Sequence, residues 1–76
     1  MINEHDRIVL VMDIPTEGFV KGDVGTVVHQ YPENQAYEVE FTTLEGKTAA
    51  VVTVEASHVR PVGEHEITHA RELAPR

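Results

Sequence analysis

The apolar residues of this chain fall into short runs separated by turn-forming residues. Asp6-Arg7-Ile8-Val9-Leu10-Val11-Met12 is β-branched and almost wholly apolar. It reads as a strand with little solvent on either face. Asp13 to Asp23 holds one Pro and two Gly, which predicts a loop. Ile14 and Phe19 are apolar exceptions in that loop and should fold back over one end of the core. Val24-Gly25-Thr26-Val27-Val28-His29-Gln30 is a second strand, and its interior Gly25 suggests a bulge or tight bend. Tyr31 to Gln35 is a polar turn.

The clearest alternation lies in Ala36-Tyr37-Glu38-Val39-Glu40-Phe41-Thr42. Tyr37, Val39 and Phe41 share one face, and Glu38 and Glu40 the other, as in a half-buried antiparallel strand. Leu44-Glu45-Gly46-Lys47 is a hairpin signal, with Gly46 free to adopt positive φ. Residues 48–54 form a fourth strand. Residues 55–58 form a short polar turn, and Val59-Arg60-Pro61-Val62 a brief fifth strand. Pro61 cannot donate to a ladder and belongs on an edge. Ile8, Leu10, Val27, Val39, Phe41, Val52 and Val54 are the expected core.

From Glu64 to Leu73 the pattern changes. Ile67, Ala70 and Leu73 repeat every three to four residues, with no Gly, no Pro and little β-branching. That spacing predicts a helix with one narrow apolar stripe. Its first turn is acidic, Arg71 lies near its end, and Pro75 stops it. A helix of about ten residues is marginal alone and must dock on something. The expected fold is all-β: a small five-stranded antiparallel barrel over residues 1–62, then a short C-terminal α-helix and tail over 63–76.

Certain residues carry a family resemblance. These are Asp6-Arg7-Ile8-Val9-Leu10, Ile14-Pro15, Lys21 to Val28, Tyr37-Glu38-Val39-Glu40-Phe41 and Val59-Arg60-Pro61-Val62. Over roughly residues 5 to 62 the chain resembles a family of short bacterial proteins described only as domain of unknown function 4926. The glycine-valine segment also resembles the turn-and-strand core of SH3-like barrels, including KOW-type domains and the barrel of nitrile hydratase β-subunits. The resemblance implies an SH3-like barrel. It implies no reaction, and fold analogy supplies none.

Composition narrows the function classes. Seventy-six residues make one small domain with thin stability. Thirteen acidic and six basic residues give a net charge of −7, which argues against a nucleic-acid backbone as partner. KOW domains that bind RNA are basic around their loops; here those positions hold Glu17, Asp23, Glu33, Glu38, Glu40 and Glu45. No cysteine is present, so disulfides, Cys-based zinc sites and thiol nucleophiles are excluded. No apolar run approaches 18 residues, and the N-terminal residues resemble no signal peptide, which makes the cytoplasm the expected address.

The loudest chemical motif is His65-Glu66-Ile67-Thr68-His69, an H-E-x-x-H pattern. On a helix, His65 and His69 would share a face and could ligate zinc, with Glu66 as general base and Glu72 offering a carboxylate one turn on. A solvated helix face is the favoured reading, because no enclosing scaffold or usual third ligand follows. His5, His29 and His58 each stand alone. Glu38 and Glu40 form a carboxylate pair about 7 Å apart on a strand, read as a solvent face. Of the aromatics Phe19, Tyr31, Tyr37 and Phe41, the core should claim Phe41 and Tyr37, leaving few for a peptide groove.

These readings lead to a non-enzymatic acidic module that binds a protein, with no cofactor and no metal required. Its roles would be antitoxin-like, immunity-like or accessory. Contact would run through Ile67, Ala70 and Leu73 of the terminal helix, to a foreign partner or to a second copy. Pro61 and Gly63 would let that helix swing outward. The alternatives are a zinc-dependent hydrolase using His65, Glu66 and His69, and an RNA-binding KOW-like barrel.

Overall fold

A computed structural model describes residues 2–73. Five strands form a single antiparallel sheet: β1 (Arg7–Leu10), β2 (Val24–Gln30), β3 (Ala36–Thr42), β4 (Thr48–Glu55) and β5 (Val59–Pro61). Their order across the sheet is β4-β3-β2-β1-β5. The alternation in each strand sets the register. Tyr37, Val39 and Phe41 of β3 oppose Val54, Val52 and Ala50 of β4. Glu38 and Glu40, opposite Thr53 and Val51, lie half-buried on the other face.

The core follows the apolar pattern. Ile8, Leu10, Val27, Val39, Phe41, Val52 and Val54 are all buried, together with Ile2, Phe19, Tyr37 and Val59. The Asp13–Asp23 loop closes over them through an isolated bridge between Ile14 and Phe19. Phe19 stacks on Phe41 with ring centroids 4.2 Å apart, a contact worth about 0.5–1.5 kcal/mol beyond the area it buries. In the β3–β4 turn Gly46 takes a φ of +92°, as the hairpin requires.

Gly25 plays a role other than bulge-making. The register shift in β2 falls between Val27 and His29, leaving Val28 as the extra residue. Gly25 pairs in register with Ile8. A Cβ added there would lie 2.4 Å from Val39 Cγ1 and 3.0 Å from Phe41 Cε1. Glycine stands at this position so that β2 can lie against the β3 core side chains.

Two expectations are corrected. The sheet is not closed into an SH3-like barrel: β4 and β5 are its two edges and do not pair. Closure would need outward donors on β5, and β5 has used them. The Val59 N–H caps the preceding 3-10 turn (Ala56–His58) by donating to the Ala56 carbonyl, and Pro61 has no N–H. Nor is there a C-terminal α-helix. Residues 62–73 are irregular apart from a turn at 64–65. The helix start is visible: Glu66 N–H reaches the Gly63 carbonyl at 3.4 Å, and the Glu66 carboxylate accepts from Gly63 N–H at 2.5 Å. This single turn does not propagate. Ile67, Thr68 and His69 are mediocre helix formers, and the stripe buries too little to stabilise so short a helix. The stop expected at Pro75 lies outside the described residues. Among those residues no helix is long and apolar enough to cross a membrane.

Candidate functional site

The tail lies against one end of the sheet, held by two ion-pair clips. In the first, Arg60 on β5 donates from Nη1 and Nη2 to Glu66 Oε1 and Oε2, at 2.8 and 2.7 Å. This fork, with the Gly63 N–H beside it, pulls the solvent-exposed Glu66 carboxyl down to about 2. The second joins residues 48 apart in sequence. Arg71 Nε donates to Asp23 Oδ1 at 2.9 Å and Nη2 to Oδ2 at 2.5 Å. Asp23 is ready to receive it, because its carboxylate already accepts from Val20 N–H and fixes the turn leading into β2. Donating to the Asp23 carboxylate raises the Arg71 pKa further, so this guanidinium stays charged at every ordinary pH.

Between the clipped tail and the sheet lies an open groove of about 500 Å³. Phe19, Phe41 and Ala49 line its sheet side, and Leu44 of the β3–β4 turn its rim. Ile67, Ala70 and Leu73 all border it from the tail. The three residues expected to meet a partner are therefore gathered in one place, though not as a helical stripe. Ile67 is 94% exposed and Leu44 77%. Asp23 and Arg71 also line the groove, where each satisfies the other.

The metal-ligand pattern is not assembled in the same way. Without a helix, His65 and His69 are not held on one face, and both are exposed along with Glu72. Among the described residues no three His, Asp or Glu side chains cluster as metal ligands do. On the solvent face of the sheet, Glu38 accepts hydroxyl donors from Thr53 and from Tyr31, the latter at 3.2 Å. Glu40 accepts from Thr48 at 2.5 Å. Both are carboxylates with hydroxyl partners beside water. His29 packs edge-on to Tyr31, and His58 lies 3.4 Å from Glu55. The clips themselves gave no signal in the sequence, since nothing in local spacing links Arg71 to a carboxylate 48 residues earlier.

The family model described as Domain of unknown function (DUF4926) matches residues 4–61. The chain belongs to this family. The DUF4926 match takes in all five strands and ends at Pro61, so the family unit is the sheet. Each clip therefore joins a residue inside the DUF4926 unit (Asp23, Arg60) to one in the tail beyond it (Arg71, Glu66). No curated protein and no solved structure matches the chain.

Proposed function

We propose that this DUF4926 chain is a non-enzymatic module that binds another protein through its tail and the groove beneath it. One observation carries the reading: Ile67 and Leu44, both apolar and strongly exposed, border a groove that Phe19, Phe41, Ala49, Ala70 and Leu73 also line. Exposed apolar side chains gathered at one place mark a contact surface. The net charge of −7 favours a basic partner. Acting one-to-one on such a partner is the antitoxin-like, immunity-like or accessory role that so small an acidic chain can fill.

Site-directed photocrosslinking in the native host tests this. A photoreactive residue at position 67 or 44 should form one discrete adduct with a different protein. The same residue at Lys21, exposed and outside the groove lining, should not. Identical smears from all three positions would contradict the reading. An adduct of twice the chain's mass would replace the foreign partner with a second copy.

A further inference from the structure

The two edges of the sheet differ in how their backbone groups end. Antiparallel pairing alternates, so every second residue of an edge strand points its N–H and C=O outward. The phase is fixed on β4 by the bond from Ala56 N–H to the Gln35 carbonyl at 2.9 Å, beside the Ala36↔Glu55 pair. Ala50, Val52 and Val54 then face β3, and Val51, Thr53 and Glu55 face outward. On β5 the bond from Val11 N–H to the His58 carbonyl, beside Leu10↔Val59, makes Val59 and Pro61 the outward residues.

The β5 edge offers no free N–H to a further strand. Val59 N–H is taken by the Ala56 carbonyl, Pro61 lacks an N–H, and the Pro61 carbonyl accepts from Arg60 Nη1 at 3.0 Å. The β4 edge carries none of these guards. It has eight residues, no Pro and no Lys, and one bulge near its start, between the pairs Phe41↔Ala50 and Thr42↔Thr48. Among the described residues no backbone bond from another segment reaches it. Val51 is 52% exposed. Natural sheets guard such edges against pairing; here one is guarded and the other is bare.

We propose that the β4 edge takes an extended, basic segment of a partner protein as an added strand, hydrogen-bonded to Val51, Thr53 and Glu55. Charge selects this occupant. Glu38, Glu40 and Glu55 share the solvent face with Val51 and Thr53. The Thr53 and Thr48 hydroxyls draw Glu38 and Glu40 toward the free edge. Alternate Lys or Arg side chains of an added strand meet this acidic face, while the residues between them lie beside Val52 and Val54. A second copy would set the same carboxylates against each other, with −7 on each chain. This edge is a surface separate from the tail groove, so either can fail alone.

The test uses the full chain and an acetylated, amidated octapeptide alternating Lys and Val, with a Glu–Val octapeptide as control. Amide exchange followed by NMR reads the two halves of β4 separately. Free, the Val51, Thr53 and Glu55 amides should exchange fast and those of Val52 and Val54 slowly. With Lys–Val peptide at ten times its Kd, protection at the first three should rise about tenfold, with no rise from Glu–Val peptide. Val51→Pro removes an outward N–H and no donor of the β3–β4 ladder, so it should fold and lose the effect. Val51→Lys keeps every backbone group and should weaken the same peptide if the proline variant does not fold. The proposal is overturned if protection at these residues is unmoved or rises equally with Glu–Val peptide. Shifts confined to Ile67 and Leu44 would also overturn it while favouring the groove. Concentration-dependent protection in the free chain would assign the edge to a second copy and overturn it too.

Discussion

The sheet and the tail are held by different physics. Eleven buried side chains form one cluster whose members come from every strand, from the loop that covers it and, through Ile2, from the segment before β1. Residues 62–73 contain no buried side chain. They are fixed to the sheet by Arg60–Glu66 and Arg71–Asp23, both at the surface. Apolar packing gains with each buried neighbour and is insensitive to salt. Exposed ion pairs contribute little individually and are screened. The sheet is therefore the scaffold, and the tail is a segment that can release without unfolding it. The DUF4926 match respects the same division, ending where the packing ends.

The largest effects should come from the scaffold. Phe41 is buried under the stacked Phe19 ring, and Phe41→Ala should cost about 3–5 kcal/mol in a two-state melt. A loss below about 1 kcal/mol would mean that the cluster does not hold the sheet. Gly25→Val should come next. It raises β-propensity yet forces side-chain atoms into Val39 and Phe41, an overpacking cost of about 1–3 kcal/mol. An equal or higher melting temperature would refute the close approach of β2 to β3.

These first two expectations were legible in the sequence because period-2 alternation, Gly in a strand and Pro at an edge act within a few residues. The strand boundaries of β2 and β3, the Gly46 turn and all seven expected core residues follow from such local signals. The tail was not legible for the opposite reason. Its Ile67–Ala70–Leu73 spacing has the period of a helix, but spacing alone carries no information on how much area the stripe can bury. What decides the tail's course is Arg71 meeting Asp23, a partner brought near only by the folded β1–β2 loop. Barrel closure failed on a similarly fine point, because the pairing state of β5 depends on where the Val59 N–H and the Pro61 carbonyl are used. At the candidate site the sequence named Ile67, Ala70 and Leu73 but not the groove or its clips.

Smaller effects should mark the tail. Arg71→Ala should free residues 67–73, seen as collapse of their amide shifts toward unstructured values. It should change global stability by about 1 kcal/mol or less, the range of surface pairs. A loss as large as that of Phe41→Ala would show the tail to be part of the scaffold. The Arg60 clip has a pH signature. Glu66 is held at about 2 against an ordinary 4.5. A carboxyl lowered in the folded state stabilises above its ordinary value and loses that contribution as pH falls through the lowered one. The Arg60–Glu66 clip should thus be at full strength above about pH 4.5 and gone only below about pH 2. NMR titration of the Glu66 side chain should give that low midpoint, and Arg60→Ala should raise it toward the ordinary value. A midpoint unchanged by Arg60→Ala would show that the guanidinium is not its cause.

The separation of scaffold from tail is tested most directly by salt. At about 1 M NaCl the screening length falls to about 3 Å, so both clips weaken while apolar packing does not. Amide spectra and a thermal melt of the same full-length sample, at low and high salt, read the two regions together. Residues 63–73 should move to unstructured shifts while the strand resonances stay in place and the melting temperature holds or rises. A tail that keeps its low-salt shifts, or a melting temperature that falls as the tail releases, would contradict the division.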